Sequence, residues 1–261
     1  MLHVISLGAG VQSTTMALMA AHGDIKPMPD CAIFADTGWE PRTVYDHLDW
    51  LKRVLPFPTY RVSGGDLRSD IINKSNTTGG RFSAVPWFMK MPTGDSAMGR
   101  RQCTKEYKLY PIRRKVRELL GGKTPKGGAG MWIGISMDEA IRIKPSNVAY
   151  IVNQWPLIER RMNRRDCVNW LKDHNYPIPS KSACIGCPFH NDEAWRHLRE
   201  RPDEWADAIE VDVAIRTQSG FRGQQFMHRS LVPLADADLS TLSDHGQLDL
   251  FNNECEGMCG V

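Results

Sequence analysis

The sequence predicts an α/β fold, a parallel sheet with helices on both faces and a carboxyl-terminal extension. Three observations carry that prediction. Short apolar, β-branched runs alternate with helical patterns, which is how a parallel sheet with crossover helices reads. A glycine-containing turn joins the first such run to the first helix. The chain has 261 residues, 41% hydrophobic and 24% charged, an ordinary globular composition and enough length for one large core or a core plus a tail.

In order, His3–Leu7 reads as a strand and Ser13–Ala21 as the helix after the turn. Cys31–Ala35 is a second, buried strand, and Pro41–Val54 a helix with its proline in the first turn. Thr59–Val62 gives a short third strand. A helix over Lys105–Leu120 and a glycine-rich linker, 121–130, lead to a fourth strand at Met131–Ile135. Asn163–His174 and Asn191–Arg201 read as later helices. Residues 73–102 show no periodicity, and a loop of that length in a compact domain is usually functional or disordered. Residues 235–261 are polar and end in a small Cys- and Gly-containing tail.

No apolar run is long enough to span a bilayer, so no membrane partner is expected. The amino terminus lacks a basic n-region and reads as the first strand, which implies a cytoplasmic protein. The net charge of +3 is too small to argue for nucleic acid. Basic residues do cluster at 113–117 and 160–165. Solvated helix faces carry such runs commonly, and a polyanion footprint is the other reading. Seven cysteines without a secretion signal point to metal or redox chemistry over a disulfide framework.

Ser6-Leu7-Gly8-Ala9-Gly10-Val11-Gln12-Ser13-Thr14 joins the first strand to the first helix. Glycines let backbone N–H groups approach phosphate oxygens, the helix start adds its positive dipole end, and hydroxyls add donors. Gly8 and Gly10 are expected to shape the turn; Ser6, Gln12, Ser13 and Thr14 are expected at the phosphates. One strand later, Asp36-Thr37-Gly38-Trp39-Glu40-Pro41 lies at a carboxyl strand end, where open α/β sheets bind ligands. No Gly-Lys-Ser/Thr follows the loop and a third glycine is missing, so it is neither a Walker A loop nor a Rossmann fingerprint.

These two segments resemble the PP-loop (HUP-like) superfamily, specifically its PAPS reductase-like branch and the ATP-pyrophosphatase relatives. The resemblance implies a five-stranded parallel sheet, and an adenine nucleotide, ATP or PAPS/APS, bound through Ser6–Thr14, Asp36, Thr37 and Gly38. Pyrophosphatase members often carry Ser-Gly-Gly-x-Asp-Ser; here Gln12 removes the acidic residue, leaving Asp36 to hold Mg²⁺ or act on the nucleotide. The segment after the fourth strand, Gly134 through Arg142 and Lys144, is similar to the family's Gly-x-Arg/Ser-x-x-Glu/Asp stretch, with Arg142 and Lys144 as phosphate-neutralising groups.

Cys184-Ile185-Gly186-Cys187 is a C-x-x-C, a spacing that suits zinc, an iron–sulfur cluster or a redox dithiol. Cys103 stands about 80 residues upstream, followed by Lys108 and Pro111. This layout resembles the APS reductases and implies a [4Fe-4S] cluster on Cys103, Cys184 and Cys187, with zinc as the alternative. Gln102 stands where those enzymes have a second cysteine, so a fourth ligand falls to Cys167, Cys255 or Cys259, or to an open iron. Cys31, in an apolar strand, reads as core. Glu254-Cys255 is similar to the mobile Glu-Cys-Gly tail of sulfonucleotide reductases, which makes Cys255 a candidate catalytic thiolate. His228, in Phe226–Ser230, reads as structural.

The expectation is a nucleotide-binding domain over 1–190 with the metal-type cysteines, and a helical extension with a tail over 191–261. ATP-dependent adenylation with sulfur transfer is expected, onto a nucleic acid, a nucleotide or a small acceptor. A PAPS or APS reductase with a thioredoxin-like reductant is the alternative, and a non-catalytic nucleotide sensor or nucleic-acid adaptor a third reading.

Overall fold

The computed structural model describes residues 1–74, 85–241 and 244. The chain opens with β1 (Leu2–Ser6), α1 (Val11–His22), β2 (Cys31–Asp36), α2 (Arg42–Val54) and β3 (Thr59–Ser63). Next come α3 (Leu67–Asn73), β4 (Phe88–Lys90) and β5 (Ser96–Met98). A π-helical turn (Thr104–Leu109) runs into α4 (Tyr110–Leu119), followed by β6 (Ala129–Ile133), a 3₁₀ turn (Met137–Arg142) and β7 (Ile151–Gln154). Then come α5 (Pro156–Glu159), α6 (Arg164–Asp173), α7 (Asp192–Arg199), α8 (Pro202–Thr217) and β8 (Gln224–Phe226).

The chain forms two compact units, each discontinuous in sequence. One comprises Met1–Gly64 with Thr104–Ser182; the other joins Gly65–Cys103 to the described residues from Ala183 onward. The partition expected at residue 190 is linear, whereas these units interleave.

In the first unit five parallel strands run in the order β3-β2-β1-β6-β7. β2 and β6 are buried along their whole length, which is why both read as continuous apolar runs. The pleat sends successive side chains to opposite faces. Ile5 and Phe34 join Met16, Leu48, Leu51 and Leu171 from α1, α2 and α6 on one face. Val4 and Ile33 join Ile112 and Val116 of α4 on the other. Helices therefore cover both faces, as expected. α2 shows how the sequence achieves this: Val44, Leu48 and Leu51 fall at i, i+4 and i+7 and are its buried residues. α6 starts at a reciprocal capping box between Asn163 and Asp166.

Four elements differ from the sequence assignment. The fifth strand, β7, is an edge strand with Asn153 and Gln154 in its four residues, too short and polar for a periodic signal. The helix expected over 105–120 opens as a π-helical turn before α4. α8 was not assigned at all: buried Asp212 interrupts its apolar face of Ala208, Val211 and Ile215, although Pro202 in its first turn was a start signal. The second unit carries an antiparallel sheet, β5-β4-β8, whose first two strands fall inside the stretch read as structureless.

Candidate functional site

The turn between β1 and α1 lies at the carboxyl end of the first strand. Ala9 sits in the left-handed region (φ 56°), which twists the chain between the two glycines. The Gly8 N–H donates to Ser13 Oγ at 3.2 Å, and that hydroxyl donates to the Gly10 carbonyl at 3.3 Å. The Ser182 hydroxyl donates to the Gly8 carbonyl from the far end of the unit's sequence. Ser13 is thus a staple of the loop. Gly10 is the N-cap of α1, with no side chain capping the helix and no acidic residue in its first turn. A helix start in that condition offers its first N–H groups and its positive dipole end to an anion. Thr14 differs from expectation: its side chain is fully buried and lies 3.0 Å from His47 Nε2, so it anchors α1 to α2. Burial pushes the His47 imidazole down to about 4, which keeps it neutral.

Strand order reverses between β1 and β6: from β1 the chain winds outward to β2 and β3, then returns to the other side. Ligands of open α/β sheets lie outside the carboxyl strand ends at such a reversal. Here the two loops nearly touch. A Cβ placed on Gly134, just after β6, would lie 2.9 Å from the Ser13 nitrogen and 3.0 Å from its Cα. Glycine at 134 lets the β6 end meet the first turn of α1. Gln12 bridges the gap: its Nε2 approaches Ser136 Oγ at 3.4 Å and Glu139 Oε2 at 3.3 Å, and its Oε1 accepts from Arg164 Nη1 at 3.2 Å. Arg142 pairs with Glu139. Burial raises the Glu139 carboxyl, against the lowering pull of Arg142. Lys144 lies exposed beyond this turn, its carbonyl accepting from Asn153 at 2.9 Å. Ser6 ends β1.

Asp36 ends β2 on the same sheet edge. Its Oδ1 accepts the Gly38 N–H at 2.9 Å and the Tyr45 hydroxyl at 2.8 Å; its Oδ2 takes Arg61 at 2.9 and 2.6 Å. Burial alone would raise this carboxyl, but these donors outweigh it and hold the group below the usual carboxylate range. With both oxygens engaged, Asp36 organises the strand end. The same hydrogen bond and burial push the Tyr45 hydroxyl up. Gly38 takes a positive φ of 74°, a conformation glycine adopts without strain. Thr37 Oγ1 donates to Glu40 Oε1 at 3.2 Å, and the same oxygen meets Lys108 Nζ at 3.1 Å. Lys108 is the lysine of the Cys–x₄–Lys–x₂–Pro pattern. Sequence reading missed Tyr45, His47, Arg61 and Ser182.

Cys103, Cys184 and Cys187 all belong to the second unit and are half-buried. The C-x-x-C forms a turn: the Cys187 N–H donates to the Cys184 carbonyl at 3.1 Å, and the His190 N–H to the Cys187 carbonyl at 3.1 Å. His190 Nε2 donates to the Cys184 carbonyl at 3.0 Å, and its ring stands edge-on to Trp195, 4.7 Å away. Among the described residues, however, no three His, Cys, Asp or Glu side chains converge as a metal-binding set. Cys167 is fully buried in the core of the first unit, its thiol pushed up to about 12 by burial. Cys31 is also core, with burial raising it to about 11. Cys255 and Cys259 lie outside the described residues. His228 is buried between Asp192 Oδ1 (2.9 Å) and Ser230 Oγ (2.6 Å), consistent with a structural role.

No family model matches the chain, and no curated protein matches it. Among solved structures, one that matches is a phosphoadenylyl-sulfate (PAPS) reductase from Candida auris in complex with phosphate. It is 14% identical, covers 70% of this chain and 80% of its own, and superposes with a TM-score of 0.46. No helix among the described residues is long and apolar enough to cross a membrane.

Proposed function

We propose that the chain is an adenine-nucleotide-binding enzyme of the PP-loop type, which takes ATP with its phosphates against Gly8–Ser13. The observation that carries this is the uncapped start of α1, held by the Ser13 and Ser182 staples where the strand order reverses. The reaction is adenylation followed by sulfur transfer. An acceptor oxygen attacks the α-phosphorus, the α–β phosphoanhydride bond breaks and pyrophosphate leaves. A hydrosulfide sulfur then forms a bond to the acceptor carbon, losing its proton to solvent, and AMP departs with the oxygen. As the α–β bond breaks, negative charge grows on the leaving pyrophosphate. The α1 dipole end and the guanidinium groups of Arg142 and Arg164 are the chain's own means of offsetting it.

ATP and PAPS titrated side by side under anaerobic conditions test the reading. ATP is expected to bind, with AMP and pyrophosphate formed once an acceptor is present. Tighter binding of PAPS, with sulfite released to a thioredoxin-like reductant, would replace it by the reductase reading.

A further inference from the structure

The acceptor surface can be read from groups that the nucleotide reading leaves unused. Between α5 and α6 the chain makes a tight turn, Arg160-Arg161-Met162-Asn163-Arg164-Arg165, with Arg161 in the left-handed region (φ 54°). Four arginines leave this turn. Arg164 reaches inward to Gln12 of the nucleotide loop, at 3.2 Å. Arg160, Arg161 and Arg165 are exposed, and among the described residues no ion pair engages any of them. The turn is tied to the segment after β6 by two hydrogen bonds: the Met137 N–H donates to the Met162 carbonyl at 2.8 Å, and the Arg164 N–H to the Asp138 side-chain Oδ1 at 3.0 Å. That neighbouring segment presents Ile141, 93% exposed, with half-exposed Met137 and the unpaired ammonium of Lys144. Exposed Asp138 and Glu159 are the acidic groups on this surface, so cations outnumber them.

Ile141 projects almost wholly into solvent beside these cations. An apolar side chain flanked by unpaired guanidiniums suits one kind of occupant. Arginines hold phosphates bidentately, and a projecting aliphatic side chain packs against an unstacked base. An acidic protein segment would use the cations but gives Ile141 no flat partner. We propose that this surface docks a single-stranded segment of nucleic acid, with its phosphates on Arg160, Arg161 and Arg165 and a base against Ile141. The inference deepens the adenylation reading, for which it names the acceptor class. Arg164 links the docked strand to the nucleotide loop, placing an acceptor base beside the bound ATP.

The test is fluorescence anisotropy with labelled single-stranded DNA and RNA 20-mers, the matching duplex and poly-glutamate, across a salt series. Single strands are expected to bind most tightly. Arg160→Ser, Arg161→Ser and Arg165→Ser combined should weaken them at least tenfold. The slope of log K against log salt should fall by about 2, from roughly 0.7 per lost phosphate contact on a single strand. Ile141→Ser should weaken single-strand binding several-fold and leave the salt slope unchanged. Should the triple variant fold poorly, Arg165→Ser alone, on the exposed face of α6, carries the same test with a slope change of about 0.7. Wild-type affinity and slope in a folded triple variant would overturn the proposal. So would equal binding of poly-glutamate, which would assign the surface to an acidic protein, or no strand binding by the wild type. ATP affinity is measured on the same samples. In the wild type, absent strand binding with intact ATP binding defeats this inference alone, and salt-dependent strand binding without ATP binding defeats the nucleotide reading alone.

Discussion

Replacing Gly134 by alanine isolates the contact on which the site depends. Its backbone conformation suits any residue, so the effect is purely steric. The added methyl would meet the backbone of Ser13 at 2.9 and 3.0 Å and the Gln12 carbonyl carbon at 3.2 Å. Ordinary carbon contacts lie near 3.5–4.0 Å, so the first turn of α1 or the end of β6 must retreat by about half an ångström. Neither yields easily, because α1 is buried along most of its length and β6 is held between β1 and β7. Overpacking of this kind costs about 1–3 kcal/mol, or roughly 2–10 °C in melting temperature for a chain of this size. The same shift moves the N–H groups offered to phosphate, and an equal loss from binding would weaken ATP roughly 5- to 150-fold. Gly8→Ala is the matched control for stability: its methyl would meet nothing closer than Ser13 Oγ at 3.7 Å, so the melting temperature should stay near wild type. Differential scanning fluorimetry and calorimetry read both quantities. Wild-type melting and wild-type ATP affinity in Gly134→Ala would refute the reasoning, and so would a Gly8→Ala variant that melts below Gly134→Ala.

Arg61→Gln should destabilise the protein at pH 7 by about 1–3 kcal/mol, because it removes two of the donors on a buried carboxylate. The folded carboxyl of Asp36 is lowered, so its contribution is present above about pH 4 and is lost as pH falls through the folded value. Melting curves between pH 7 and pH 3 should therefore be flatter at the acid end in the variant. Native alkylation at pH 8 followed by peptide mass mapping should leave Cys31 and Cys167 unmodified, since burial raises both thiols to about 11 and about 12. Modification of Cys167 ahead of global unfolding would show that the core of the first unit opens locally.

What was legible follows how far apart the interacting residues lie in the chain. The β1 turn, the apolar run of β2 and the Asp36–Gly38 strand end are local, and each shows in periodicity or glycine placement. The partners that decide what these residues do are distant. Asp36 meets Arg61 25 residues away, Thr14 meets His47 33 away, and Gly8 meets Ser182 174 away. No local pattern could assign those pairs, although the serines at 180 and 182 beside the C-x-x-C were a signal. The same limit applies to the cysteines: spacing gave ligand types, and convergence is a tertiary property that it does not encode.

Gln12 shows the point most clearly. Against the pyrophosphatase pattern it looks like a lost carboxylate. In the fold its amide faces a carboxylate and a hydroxyl with its nitrogen, and a guanidinium with its oxygen. A glutamine can satisfy both sides, since its amide carries donors and acceptors at opposite ends. An aspartate there would set a second negative charge against Glu139, whose carboxyl burial already disfavours in its charged form. The neutral residue thus suits its surroundings: it joins the β1 loop, the β6 loop and the arginine turn before α6 at the point where the sheet reverses its winding.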